Sequence, residues 1–247
     1  MKFNDKTQVK EIALAGPPAK QVLEDAGVDY CCGGSQSLRE ACFSAKVPAE
    51  EILLRLKENK KQAMADEKDW AAEPLANLTQ HIRETHHRYV RESLPQLKKL
   101  LAKVNEKHGA NHPEIAQIDV VFAELGRELT MHMQKEEMIL FPYIEALERS
   151  RNEDEPLETP FFQTVQNPIR TMIHDHDAAG EALRKMSALS SEYTAPAEAC
   201  MSYQELYRSL GVFEKDLHTH VHLENNILFP RAVELEAANQ EGLPGPR

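Results

Sequence analysis

Two stretches of this 247-residue chain carry the same chemistry. His132 is followed four residues later by Glu136, and His220 by Glu224, and each pair leads into an Ile-Leu-Phe-Pro block, at 139–142 and 227–230. Residues at i and i+4 share one face of a helix, so each His and Glu can be aimed at a common point. A single His-x-x-x-Glu is ordinary surface salt chemistry. Two copies in register are not. The repeat also extends upstream, because His87 lies 45 residues before His132 and His176 lies 44 before His220. Each upstream His is followed by a Glu (Glu92, Glu181) and then a Leu (Leu94, Leu183) at matching offsets. That register selects His87 over His86 and His176 over His174.

The set is four imidazoles and two carboxylates: His87, His132, Glu136, His176, His220 and Glu224. A carboxylate can bridge two metals through its two oxygens, whereas an imidazole binds one. Two bridging glutamates and two histidines per metal leave positions open for an oxo or hydroxo bridge and an outside molecule. Mixed nitrogen and oxygen ligation with open positions suits non-haem iron, less often manganese. Structural zinc would want a closed tetrahedron, often with Cys. The expected cofactor is therefore a pair of non-haem iron ions. Ligating imidazoles usually hand their second ring nitrogen to a carboxylate or carbonyl. Glu128, one turn before His132, and Asp175, beside His176, are the candidates for that supporting role. His81, His108, His112, His218 and His222 are read as exposed or supporting. Ferritin-like bundles need two Glu-x-x-His pairs, and the bundle region holds one, Glu84 to His87. The zinc-protease pattern and the P-loop are absent.

These residues need helices to hold them. Apolar residues recur at three- and four-residue spacing near 75–106, 112–149, 160–191 and 198–237, and no run shows the alternation of a strand. The expected fold is all-α, with a four-helix bundle over 74–237 built from a duplicated helix pair. Kinks are expected at Pro142 and Pro230. A small helical domain is expected at 1–58, a polar, alanine-rich linker at 59–73, and a disordered tail at 238–247. In the first domain Gly33 and Gly34 force a turn after Cys31 and Cys32, and Ser35 or Ser37 can cap the helix that follows.

Composition narrows the function classes. The formal net charge of -11 argues against nucleic acid or an anionic membrane as partner. No apolar run approaches a membrane span and the start lacks a signal peptide's apolar stretch, so a cytoplasmic protein is expected. Three of the four cysteines (Cys31, Cys32, Cys42) fall within twelve residues. In a reducing compartment such a cluster is reactive or metal-related rather than structural. Cys42 is expected to pack on its helix, and Cys200, alone, to be inert.

Several longer motifs carry a family resemblance. They are Asp-Tyr-Cys-Cys-Gly-Gly (29–34) with Ala-Cys-Phe (41–43), then 132–142, His-Asp-x-Ala-Gly-Glu (176–181) and 220–231. The C-terminal part resembles a hemerythrin-type domain. The whole chain resembles the repair-of-iron-centres di-iron proteins, also described as iron-sulfur cluster repair proteins. The resemblance implies repair of iron-sulfur clusters damaged by nitric oxide or oxidants, with iron-sulfur proteins as clients and iron donation from the di-iron site. Nitric oxide reduction at the same site is the alternative it implies, with nitric oxide or oxygen as ligand. It also implies that Cys31 and Cys32 serve redox or delivery. A plain oxygen carrier fits less well, since that class uses more histidines and has no place for a cysteine module. The linker is compatible with a homodimer.

Overall fold

The structure, a computed structural model, describes residues 3–58, 68–153 and 157–241. Apart from an isolated bridge between Gln8 and Ser37, these residues form helices and turns. They fall into two compact units. One takes in the chain up to Glu73 together with Val221–Pro230; the other runs from Pro74 to His220 and resumes at Arg231.

In the first unit four short helices, α1 (Val9–Ala13), α2 (Pro17–Asp25), α3 (Leu38–Ala45) and α4 (Ala49–Glu58), surround a core of Val9, Ile12, Leu23, Leu38, Cys42 and Ile52. Gly16 takes a positive φ that most residues avoid, and Pro17 opens α2 where its missing N–H costs nothing. Of the two serines read as caps, Ser37 fills the role. Its hydroxyl accepts from the Glu40 amide while the Glu40 carboxylate accepts from the Ser37 amide, a reciprocal capping box. Cys42 packs in this core, as its position on the α3 face requires. Residues 59–67 of the expected linker lie outside the described residues.

Four long helices dominate the rest. The first runs continuously through Leu75–His81, a π-helical turn at Ile82–His87, and Arg88–His108. The second runs through Glu114–Lys135, a π-turn at Glu136–Leu140, and Phe141–Glu153. The third is Gln166–Leu189, and the fourth joins Met201–Leu223, a π-turn at Glu224–Leu228, and Phe229–Glu241. The second helix shows why they pack. Ile115, Ile118, Phe122, Leu125, Leu129 and Met133 recur every three or four residues and are all buried. Each such side chain contributes roughly 1.5–3 kcal/mol by leaving water.

Two boundaries differ from the sequence expectation. The third helix starts at Gln166 rather than near 160, because Pro160–Val165 is held as a turn. The buried Glu236 carboxylate accepts there from the Val165 amide at 2.8 Å and from Thr164 and Tyr143. The fourth helix continues past 237 to Glu241, into the stretch expected as tail; residues 242–247 lie outside the described residues.

At the two prolines expected to kink the helices the chain forms π-turns. Pro142 has no N–H to give the carbonyl four residues back, and neither has Pro230. The chain answers by widening one turn just before each proline: the amide of Phe141 reaches the carbonyl of Glu136, and that of Phe229 reaches Glu224. Each widened turn starts at the glutamate of the repeated His-x-x-x-Glu pair. π-turns of this kind are rare and concentrate at functional sites.

Candidate metal centre

The six residues selected by the repeat come together. His87, His132, His176 and His220 are buried, and Glu136 and Glu224 are fully so. Their donor atoms form two groups, each within 4.8 Å: His87, Glu136, His220 and Glu224, and His132, Glu136, His176 and Glu224. Both glutamates belong to both groups. The His87 and His220 Nε2 atoms lie 3.2 Å apart, and those of His132 and His176 3.1 Å apart. The Glu136 Oε2 atom is 3.4 Å from His87 Nε2 and 3.3 Å from His132 Nε2. Metal–nitrogen bonds of about 2.1 Å separate two donors on one ion by about 3.0 Å at right angles and about 3.4 Å at the tetrahedral angle. The observed spacings fall in that window, so the donor set fits metal ions held between the histidine pairs.

The helices deliver these side chains differently. His87 ends the π-turn of the first helix, and its ring stacks on Phe141 at a centroid distance of 5.7 Å. His132 and His220 sit one α-turn before the glutamates that open the other two π-turns. His176 comes from the unbroken third helix.

Outer partners fix the rings. His87 Nδ1 lies 2.6 Å from Glu137 Oε1, while Arg91 donates to the other Glu137 oxygen at 2.7 Å. Burial alone would raise the Glu137 carboxyl, but the hydrogen bonds from Arg91 and His87 outweigh it and hold it below the usual range. An ionised carboxylate only accepts, so His87 donates through Nδ1–H and its Nε2 faces His220 and Glu136. His132 Nδ1 lies 3.4 Å from Asp175 Oδ2, which also accepts from Lys135 at 2.9 Å. The hydrogen bond with His132, aided by Lys135, brings the Asp175 carboxyl down to about 2 against the cost of burial.

Sequence reasoning placed these partners imperfectly. Glu128 is solvent-exposed, which corrects its expected supporting role. Leu129, three residues before His132, is the buried residue of that turn. Asp175, chosen as a neighbour of His176, reaches His132 on another helix. Glu137 was missed. It follows Glu136 in the π-turn and reaches the opposite nitrogen of the His87 ring from the one Glu136 faces. His86, the rival of His87, is also buried; its Nδ1 pairs with Asp216 at 2.9 Å and its ring stacks on that of His220. His222, read as exposed or supporting, is buried beside Tyr30, and burial pushes its imidazole down to about 4.

Cys31 and Cys32 lie in the first unit on the turn after Tyr30, with Sγ atoms 3.9 Å apart. The Cys31 thiol is pushed up by its contact with the Cys32 thiol, by burial and by Asp29. Cys200, expected to be inert, stands exposed just before the fourth long helix with His108 Nε2 3.2 Å from its sulfur. The backbone N–H of Tyr203 lowers its thiol, helped by Lys107 and Lys103.

Residues 78–232 match the family model of the hemerythrin HHE cation binding domain, and residues 5–60 match a domain of unknown function, DUF542. The iron-sulfur cluster repair protein YtfE of Musicola paradisiaca (strain Ech703) is 34% identical over 241 residues, covering 96% of this chain and 100% of that protein. A probable iron-sulfur cluster repair protein of Haemophilus influenzae is 34% identical over 231 residues, 92% of this chain and 96% of its own length. The YtfE protein of Citrobacter koseri is 35% identical over 234 residues, 94% and 99% of the two chains. No described helix is long and apolar enough to cross a membrane. The chain therefore belongs to the hemerythrin HHE cation-binding family and, within it, to the family of these iron-sulfur cluster repair proteins.

Proposed function

We propose that the chain repairs iron-sulfur clusters damaged by nitrosative or oxidative stress, and that it does so by donating iron to client iron-sulfur proteins. In this reading His87 and His220 would hold one non-haem iron and His132 and His176 a second, with Glu136 and Glu224 serving both ions, since both belong to both donor groups. The observation that carries it is that two buried histidine pairs share both glutamates. Two histidines and two shared carboxylates leave each ion coordinatively open, so when bound it supplies exchangeable ferrous iron. The relatives named for iron-sulfur cluster repair, matched over nearly their whole length, support the same reading. The chain's own contribution is orientation: Glu137 and Asp175 fix the His87 and His132 rings, and Phe141 covers one of them. Cys31 and Cys32 take the iron onward. Four unbridged cysteines suit a cytoplasmic setting.

The test combines metal analysis with reactivation. About two iron atoms per chain are expected, lost in the His132→Ala/His220→Ala double variant. The iron-loaded chain should restore a nitric-oxide-damaged iron-sulfur dehydratase faster than free ferrous ion, and the metal-free chain should not. Zinc in a one-to-one ratio, or iron unaffected by the double variant, overturns the centre. Iron present without reactivation overturns donation. A second reading, reduction of nitric oxide to nitrous oxide, draws on the adjacency of the two ligand groups. Steady nitrous oxide formation by the isolated chain under a reductant would favour it.

A further inference from the structure

The turn at residues 29–34 brings a carboxylate and two thiols together. Donor atoms of Asp29, Cys31 and Cys32 all lie within 4.8 Å of one another. The two sulfurs are 3.9 Å apart, and Cys31 Sγ is 3.4 Å from Asp29 Oδ1. A tetrahedral ion with metal–sulfur bonds of about 2.3 Å sets its sulfurs about 3.8 Å apart, and sulfur and carboxylate oxygen about 3.6 Å apart. The sulfur–sulfur edge agrees with that of such a tetrahedron to within a few tenths of an ångström, and the ligand oxygen would be the second one of the Asp29 carboxylate, since Oδ1 is engaged by the turn's own amides.

The turn is also built to hold this shape. Asp29 Oδ1 accepts from the amides of Cys31 at 3.2 Å, Cys32 at 2.9 Å and Gly33 at 3.1 Å, so the chain folds back around the carboxylate. A Cβ on Gly33 would meet the Asp29 carbonyl at 2.9 Å, and one on Gly34 would meet Asn226 Oδ1 at 2.8 Å. Gly33 is therefore required by close approach of backbone, whereas a side chain at Gly34 would displace the Asn226 amide. From the other side Asn225 donates to the Cys31 carbonyl at 3.1 Å and Asn226 to the Tyr30 carbonyl at 2.9 Å. Adjacent cysteines on a free loop would scatter their thiols; here the backbone on both sides is pinned.

We propose that Asp29, Cys31 and Cys32 form a separate tetrahedral site for one thiophilic divalent cation, with its fourth position open. This deepens the delivery role given to the two thiols above and rests on that role only for the identity of the cargo. The chemistry balances without an oxidant or reductant. A divalent ion displaces one proton from each thiol, two protons pass to solvent, and the bis-thiolate carboxylate complex carries one negative charge. Ferrous iron and zinc both suit two sulfurs and one oxygen, and zinc is the tighter competitor.

Cobalt(II) is the probe. The full chain, iron-loaded in its bundle and with its thiols reduced, is titrated anaerobically at neutral pH. We expect about one added cobalt per chain, a sulfur-to-cobalt charge-transfer band, visible bands of tetrahedral strength, and about two protons released per ion. Cys31→Ser and Cys32→Ser should each remove most of the charge-transfer intensity, and Asp29→Asn should weaken binding about tenfold or more. Cys42→Ser and Cys200→Ser should change nothing. His132→Ala/His220→Ala should keep the band, which separates failure here from failure of the bundle centre. No charge-transfer band, or one that survives the Cys31→Ser/Cys32→Ser double variant with its helical circular dichroism intact, overturns the proposal.

Discussion

Replacing Glu137 by Gln keeps the side chain's size and removes its charge. In the structure Glu137 does two things: it accepts a hydrogen bond from His87 Nδ1–H at 2.6 Å and it pairs with Arg91 at 2.7 Å. The Arg91 pair is substantially exposed, at 46% and 24% side-chain exposure, so it is worth about 0–1 kcal/mol to the fold. The His87 contact matters more to the metal. An amide in that place can present its N–H as readily as its oxygen, and the ring is then free to move its own proton to Nε2, where the lone pair is needed. Loss of such an outer partner typically costs about 10–100-fold in metal affinity, or roughly 1.4–2.7 kcal/mol. Asp175 is the internal comparison, since its contact with His132 is 3.4 Å, near the limit of a hydrogen bond. Iron affinity measured by chelator competition should therefore fall more in Glu137→Gln than in Asp175→Asn, with metal-free urea unfolding changed by less than about 1 kcal/mol in both. Equal iron affinity in wild type and Glu137→Gln would refute the orienting role. So would a metal-free stability loss as large as the affinity loss.

Asp175 has a depressed native carboxyl, about 2, against about 3.9 in an unfolded chain. Its stabilisation is thus present above pH ~4 and lost as pH falls toward about 2. Because it is partly exposed, the effect should be about 1 kcal/mol or less, and acid titration of metal-free wild type against Asp175→Asn should show that small difference vanish toward pH 2. Cys200, exposed and with its thiol lowered, should react with iodoacetamide before Cys42, whose thiol burial raises, and Cys31, whose thiol the Cys32 contact and burial raise; peptide mapping after brief labelling would detect the reverse order. His108→Ala should slow Cys200 labelling without affecting iron content. Gly34→Ala should force the turn off Asn226 and expose Cys31, so that Cys31 labels several-fold faster while bundle iron stays near the wild-type level. Phe122→Ala should destabilise the bundle by about 3–5 kcal/mol in denaturant unfolding, because its ring is fully enclosed and packs on Phe213.

The sequence made the donor set legible because duplication is visible without coordinates. His132 with Glu136 and His220 with Glu224 repeat in register, and the matched spacing back to His87 and His176 picked out, between neighbouring histidines, the ones whose donor atoms meet these pairs. The helices were legible for a related reason: the burial pattern of the second helix is the periodicity itself. What stayed hidden depends on helical phase beyond one turn. Glu137 follows Glu136 directly, and the helix is not a regular 3.6-residue spiral there. Pro142 was a visible signal of disturbance, but a proline can be met by a kink or by a widened turn, and local sequence does not say which. The contacts that span the chain, Asp175 to His132, Glu236 to Val165 and Asn226 to Tyr30, leave no periodic trace at all.

The widened turns also explain why the repeat includes its prolines. With a regular helix after Glu136, every later residue would lie about 100° away from its present phase, and Phe141, Ile144 and Leu147 would leave the core together. The π-turn lets one helix satisfy two demands, donor atoms at His132 and Glu136 and an apolar stripe beyond them. Proline makes the choice firm, because it forbids the regular hydrogen bond that would otherwise compete. On this argument Pro142→Ala should permit the regular turn and shift Glu136 relative to His87 and His132. Iron binding should weaken by about tenfold or more while helix content rises or holds. If Pro142→Ala and Pro230→Ala together leave iron affinity unchanged, the π-turns are held by the metal ligands or the core rather than by proline, and the repeated Ile-Leu-Phe-Pro block is packing alone.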